Sequence, residues 1–323
     1  MRIAIPLTIL ATALVCSLAS VPAYARARVF VASYGSDANP CTFGSPCKTF
    51  QHAHDVVDAG GEVTAIDSAG FGPINIMKAV TITSPDGVEA GIVPAVGGNA
   101  IAINAPAGDT VVLRGLTLDG SGVAANGIVF NSGGSLRVVN CVAQNFVFIN
   151  GIQSGFGILI QPSSGTVEFV ITDTKVSNNV NAGIGYLPSG SPNTRGVIDR
   201  VVASSNLVGI NVATTGSSGD VMLAAISNSI TSNNDNVGIY VTNNPSGTFL
   251  LSIDNISATG NATGISAANT STVLLGRSVI TGNNIGVENG TATFFTYKDN
   301  RISGNYSGTD IDGSPLNGTV ALQ

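Results

Sequence analysis

Five side chains in the second half of the chain have the types and spacing to act on one another: Asp173, Lys175, Asp199, Arg200 and Asp254. Asp173 and Arg200 are 27 residues apart and Asp199 and Asp254 are 55 apart, close to one and two units of a repeat described below. If each unit is one strand-bearing coil, Asp173 and Arg200 stack about 5 Å from each other. Lys175 follows Asp173 by two residues. Asp199 and Asp254 then share an outward column at roughly 9.6 Å, near the upper limit for an acid and a base working across a water. The plainer account is a surface ion pair between Asp173 and Arg200, worth about 0–1 kcal/mol, with the other acids keeping that face soluble. Both accounts depend on the coil register.

Other reactive groups offer less. His52 and His54 sit two apart on an expected helix, so their rings diverge, unlike an i, i+4 pair. Asp55 and Asp58 are placed for ordinary surface pairs with them, and no metal site is expected. After residue 26 the cysteines are Cys41, Cys47 and Cys141. Cys41 and Cys47 enclose a short loop and are the natural disulfide pair in an oxidising compartment. Cys141 has no histidine beyond His54 to activate it and reads as a packed side chain. Gly97-Gly98 and Gly133-Gly134 are turns, since no helix with a Lys-Ser/Thr follows. With 13 Lys and Arg against 19 Asp and Glu, net charge -6 and no basic run, the chain lacks the footprint of a nucleic-acid binder.

The elements that would position these residues follow from a repeat. A Gly/Ala-Ile phrase recurs at Ile101, Ile128, Ile158, Ile184, Ile210, Ile239, Ile265 and Val287, with gaps of 27, 30, 26, 26, 29, 26 and 22 residues. An Asn keeps the same beat at Asn179, Asn206, Asn234, Asn261, Asn283 and Asn305. Between these markers lie alternating pairs expected to point inward: Leu116/Leu118, Leu136/Val138, Phe169/Ile171, Gly196/Ile198, Ala224/Ile226, Leu251/Ile253, Val273/Leu275 and Phe295/Tyr297. The residue after each pair is mostly polar and should face out. Short strands joined by Asn/Gly turns at this period make an all-β, right-handed parallel β-helix solenoid. Its Asn column predicts an amide ladder, because Asn tolerates left-handed turns and equivalent amides stack at the strand spacing. Val170, Val197, Ala225, Ser252 and Leu274 form an outward, mostly apolar strip, which is either a contact site or covered by a loop.

The ends differ from the middle. Arg2, the apolar run from Ile3 to Leu18 and Ala23-Tyr24-Ala25 predict a cleaved signal peptide over 1–25, so a secreted or periplasmic chain. Cys16 is preceded by Val15, which does not suit a lipid-anchored signal. No segment is long enough for an apolar membrane span. Residues 26–62 are expected to hold a strand, the Cys loop and a short amphipathic capping helix. That helix has Ser45 as N-cap, Pro46 in its first turn, Phe50, Ala53, Val56 and Val57 as its apolar stripe, and Gly60-Gly61 as its stop. Residues 63–305 are the coils, and 306–323 a tail or second cap.

The opening Val31 to Cys41, followed by Pro46-Cys47-Lys48-Thr49-Phe50, resembles the start of bacterial secreted β-helix repeat proteins with the pectate-lyase-like superfamily fold. The Asn-x-x-Gly-Ile phrases at Asn206–Ile210 and Asn261–Ile265 are similar to their short repeat. The resemblance spans roughly residues 28–310 and implies a polysaccharide as the first ligand class. The fold carries many unrelated activities, so it fixes no reaction. Polygalacturonase-like members carry an Asn-x-Asp, an Asp pair, a Gly-His-Gly and an Arg-Ile-Lys. Here Asn233-Asn234-Asp235 lies in the Asn turn column, Arg301-Ile302-Ser303 lacks the lysine, and the other two are missing. Two readings stand. The first is non-catalytic binding of a surface polysaccharide or a protein partner, with no cofactor. The alternative is a lyase or glycoside hydrolase acting on an acidic polysaccharide. As a lyase it would hold Ca²⁺ on the acids and use Arg200 or Lys175 as base; as a hydrolase it would use Asp199 and Asp254. No feature bears on oligomeric state.

Overall fold

Among the described residues thirty-two strands and one helix follow one another, and every pairing between these strands is parallel, each between strands of successive coils. The computed structural model describes residues 27–316 and 318–319, apart from 219–220 and 245–248. The expected signal peptide and Cys16 lie outside the described residues. Each coil runs through three sheets in turn. Sheet 1 has 12 strands, and sheets 2 and 3 have 10 each. One coil, for example, is Thr166–Thr172 in sheet 1, Lys175–Ser177 in sheet 2 and Ala182–Tyr186 in sheet 3. The next coil begins at Asn193–Asp199, in register with Thr166–Thr172. This is a right-handed parallel β-helix, the hand that parallel crossovers favour.

Alternation decides the faces. Ile171, Ile198, Ile226, Ile253 and Leu275 stack as one column with no exposed surface. Sheet 3 supplies a matching wall from Ile101 through Ile128, Ile158, Ile184, Ile210, Ile239 and Ile265 to Val287. A strand that slipped by one residue would carry its apolar set to the outside, so burial itself holds the register.

Three of the expected inward pairs are placed differently. The partners of Leu136 and Val138 in sheet 1 are Val111 and Leu113. Leu116 and Leu118 are buried too, but in the strand Leu116–Asp119 of sheet 2; both strands of that coil alternate alike. A register shift between Gly196 and Val197 sets Leu223, not Ala224, opposite Gly196. In the last full coil Phe294 and Thr296 pair with Val273 and Leu275, so Phe295 and Tyr297 lie one residue out of phase. That coil is shorter, and a fixed stride overshoots it. The segment after Tyr306 adds the strand Thr309–Gly313 to sheet 3 and Gly318–Thr319 to sheet 1.

At the other end, the helix Phe50–Val56 lies against the first strands of sheets 1 and 3, with Phe50 packed on Phe71 at 5.0 Å between ring centroids. It begins later than expected, with Thr49 as N-cap accepting from the His52 N–H at 3.2 Å. Cys47 is held extended, because its N–H donates to the Phe30 carbonyl and its own carbonyl accepts from Ala32. Cys41 and Cys47 form the disulfide, with Cα atoms 4.6 Å apart, so residues 45–47 are committed to the loop and unable to start a helix.

Candidate functional site

Two corners of each coil are built from a single residue in the left-handed region. At corner one, between sheets 1 and 2, this residue falls two places after the buried column: Gly115, Asn140, Asp173, Arg200, Asn228, Asn255, Arg277 and Lys298, with φ from 49° to 71°. From Asn140 to Asn255 its N–H donates to the carbonyl ending the next coil's strand, as Asp173 does to Asp199 at 3.2 Å and Arg200 to Ser227 at 3.2 Å. Asn suits this geometry because its short polar side chain lowers the cost, whereas a long side chain bears it in full, about 1–2 kcal/mol. Asp173 shares the short polar side chain of Asn, so it is Arg200, Arg277 and Lys298 that occupy positions their backbone does not favour.

The side chains at this corner form two arginine–carboxylate units. In the first, Arg200 grips Asp173 through two bonds, Nε to Oδ1 at 2.6 Å and Nη2 to Oδ2 at 3.0 Å. Its Nη2 also reaches Thr172 Oγ1 at 2.8 Å, and its Nη1 pairs with Asp199. Asp199 accepts further bonds from Ser227 Oγ and Asn228 Nδ2, each at 2.7 Å. In the second unit Arg277 Nε donates to Asp254 Oδ1 at 2.9 Å, and its Nη2 pairs with the other oxygen. The Arg277 N–H is held by Asp299 at 3.0 Å. Asn228 and Asn255 bridge the gap between the units, joined amide to amide at 2.8 Å.

The electrostatics follow from these contacts. The Arg200 guanidinium bonded to Asp173 holds that carboxyl below the ordinary carboxylate value. Partial burial pushes Asp199 up, but the bonds from Asn228 and Ser227 and the Arg200 charge outweigh it, and the net shift is downward. Both arginines are pushed further into their charged form by their partner aspartates. These groups are fixed charges. A general acid needs a raised carboxyl, which neither Asp173 nor Asp199 has.

Of the five residues singled out from the sequence, Asp173, Asp199 and Arg200 are in direct contact. Asp254 is two coils from Asp199, with Ser227 between them in the same column. Lys175 points from the exposed face of sheet 2, beside Val202, and its ammonium has no ion-pair partner among the described residues. Sequence reasoning missed Arg277, Asn228 and Asp299. The first two were within reach, because the corner residue always falls two places after the inward column.

Beside the second unit is a cleft of about 370 Å³ lined by Ser252, Asp254, Gly276, Arg277, Tyr297 and Asp299. Gly276 keeps it open: a Cβ there would sit 3.1 Å from the Tyr297 ring and 3.2 Å from an Asp254 oxygen. The neighbouring strip exists as expected over its first three members. Val170, Val197 and Ala225 stack half-buried on the outer face of sheet 1, and Leu274 lies beside Ser252 further along.

Corner two, between sheets 2 and 3, has a second left-handed column: Asn145, Asn178, Ser205, Asn233, Gly260, Gly282 and Gly304. Just after it come Asn179, Asn206, Asn234, Asn261, Asn283 and Asn305, all buried. Each amide donates to the next oxygen at 2.9, 3.1, 2.8, 2.9 and 3.2 Å. Each also donates to a buried strand carbonyl, as Asn234 does to Ala203 at 3.2 Å. The last, Asn305, donates to Asp310 at 2.8 Å. The expected ladder is therefore continuous and internally satisfied.

The remaining candidates are structural. Cys141 is buried and its thiol is pushed up to about 11 by burial, so it is not a thiolate. His54 is buried, with Nδ1 on Asp55 at 3.1 Å and Nε2 facing the Met77 N–H at 3.3 Å. Cys41, Cys47 and His52 are the one metal-capable trio among the described residues, but its two sulfurs are bonded to each other. Among the described residues no helix is long and apolar enough to cross a membrane.

No protein-family model matches the chain, and no curated protein matches it. Among solved structures it is similar to the pectate lyase Pel9A, at 15% identity and a TM-score of 0.41, over 91% of this chain and 78% of that one. It is also similar to the Dettilon tailspike protein, at 13% identity and a TM-score of 0.39, over 87% of this chain and 60% of that one. The likeness is one of fold, and no corner residue is carried over from either protein.

Proposed function

We propose that this chain is an extracytoplasmic β-helix that binds a polysaccharide along corner one and the adjoining face of sheet 1, without cleaving it. The observation that carries the reading is the pair of arginine–aspartate units whose arginines, Arg200 and Arg277, stand at left-handed positions. Backbone strain at a functional position is a known use of such outliers. The units present fixed charge and hydrogen-bond donors about three coils apart, roughly 14 Å, with amides between them. Asp173 and Asp199 sit below the ordinary range, which supports recognition over proton transfer. The Cys41–Cys47 disulfide supports an oxidising compartment, and residues 1–25 supply the export signal. In this reading residues 26–62 cap the solenoid and 63–305 form its coils.

The test is a panel of acidic and neutral polysaccharides, with and without Ca²⁺, offered to the purified mature protein. Binding without cleavage is expected, weakened at least tenfold in Arg200→Asn and Arg277→Asn. Release of unsaturated, ultraviolet-absorbing ends that stops with a chelator would instead make the protein a lyase. Hydrolysis lost in Asp199→Asn and Asp254→Asn would make it a glycoside hydrolase.

A further inference from the structure

Corner two changes character partway along the molecule. Through Asn145, Asn178, Ser205 and Asn233 the left-handed residue carries a side chain; at Gly260, Gly282 and Gly304 it carries none. The loss opens a groove of about 340 Å³, floored by Gly260 and Gly282 and edged by Asn233, Asp235, Asn284 and Tyr306. Tyr306 stands 78% exposed at one end, its backbone anchored by a bond to the Asn283 carbonyl at 2.7 Å. On the sheet 2 side, Thr259 and Thr281 follow one another in register. Among the described residues the amides of Asn233 and Asn284, the Asp235 carboxylate and the hydroxyls of Thr259, Thr281 and Tyr306 have no hydrogen-bond partner.

This combination specifies a ligand chemistry. Amides and a carboxylate offer the paired donors and acceptors that adjacent hydroxyl groups require. An exposed tyrosine offers an apolar ring with a polar tip, onto which the C–H face of a pyranose can stack. The lining holds no cation, and its one charged group is Asp235, so an anionic sugar is repelled. The groove extends over the coils of Asn233, Gly260 and Gly282, roughly 10 Å at the strand spacing. We infer that corner two carries a second glycan site, selective for a neutral sugar chain and independent of the arginines of corner one.

The experiment uses the full chain and two probes, a neutral glucose or mannose oligosaccharide series and an oligouronate, with binding followed by calorimetry and by the Tyr306 ring signals. Gly282→Asn refills the groove. At φ 67° Asn is tolerated, as at Asn178 and Asn233, and the nearest atom to a new Cβ is Thr259 Oγ1 at 3.2 Å. Tyr306→Ala removes an exposed side chain and leaves the fold unchanged. A neutral oligosaccharide should bind and shift the Tyr306 signals, each substitution should weaken it at least tenfold, and Arg200→Asn should leave it untouched. If no neutral probe binds at millimolar concentration, or one binds equally well to both variants, the site is refuted. Binding of the oligouronate alone refutes this site and leaves the reading of corner one standing.

Discussion

Corners one and two ask the same thing of the backbone, one left-handed residue per coil, and share Asn there, but they differ in what else they admit. Corner two uses residues that tolerate the geometry, drifting from Asn to Gly, and hides its working amides one place further on, inside the solenoid. Corner one uses Asn as well, at Asn140, Asn228 and Asn255, but it also puts Asp173, Arg200 and Arg277 at that position and leaves them partly in water: the Arg200 side chain is 55% exposed and that of Asp173 43%. Since the conformational demand is shared, it does not account for the difference in side chains. The buried ladder behind corner two serves cohesion. The chemistry at corner one is retained against local preference, and its exposed ion pairs return little stability.

The sharpest way to break this contrast is Asn234→Ala. It takes the acceptor from the Asn206 backbone N–H and from the Asn206 amide, now 3.0 and 3.1 Å away, leaving two buried donors unpaired. The expected loss is on the order of 3 kcal/mol, read as a shift of the denaturant midpoint. A neutral result would mean that the ladder is ornamental. Arg200→Asn should behave in the opposite way, with stability changing by less than about 1 kcal/mol while polysaccharide affinity falls tenfold, equivalent to about 1.4 kcal/mol. Melting comparable to that of Asn234→Ala would make corner one a structural device as well.

Thr231 lies between the corners on the inward face of sheet 2, fully buried, with Oγ1 unpartnered. Thr231→Val keeps the shape and removes the unsatisfied hydroxyl, so it should stabilise by about 1 kcal/mol; a lower melting temperature would show that the hydroxyl has a partner. The smallest effect is acid sensitivity. Asp173 and Asp199 are shifted down, so their contribution is complete above the unfolded value of 3.8 and fades as pH falls through their lower folded values. At the helical cap, burial depresses His54 against a weaker upward pull from Asp55. Its contribution is complete above the ordinary value of 6.5 and is lost as pH falls through the lower folded value. Hydrogen exchange on acidification should loosen the cap first and corner one next, while the ladder from Asn179 to Asn305, which contains no ionisable group, stays protected.

How much of this the sequence disclosed depends on which force sets each position. The Ile column and the Asn ladder were legible because burial repeats one residue type at one place per coil. The glycine groove was not, because a left-handed position has no obligatory residue type; Arg277 was recoverable from the two-place offset after Leu275 but was overlooked. The helix start was misread at Ser45-Pro46, a good local signal overruled by the disulfide and by the pairing of Cys47 with the first strand. Leu116 and Leu118 were assigned to the wrong sheet because alternation marks a face and says nothing of which wall of the coil it belongs to.

The Asn ladder has a consequence for how such a molecule changes length. Its amides meet across 27, 28, 27, 22 and 22 residues of intervening chain with nearly the same contact distance. The rung is therefore indifferent to how much chain is looped out between rungs. A stretch from one Asn to the next is an interchangeable module: duplicating residues 207–234 would insert a complete turn whose new rung accepts from Asn234 and donates to Asn261. The solenoid is in this sense a ruler that can be spliced, with Asn at each graduation and Asp310 as its end stop.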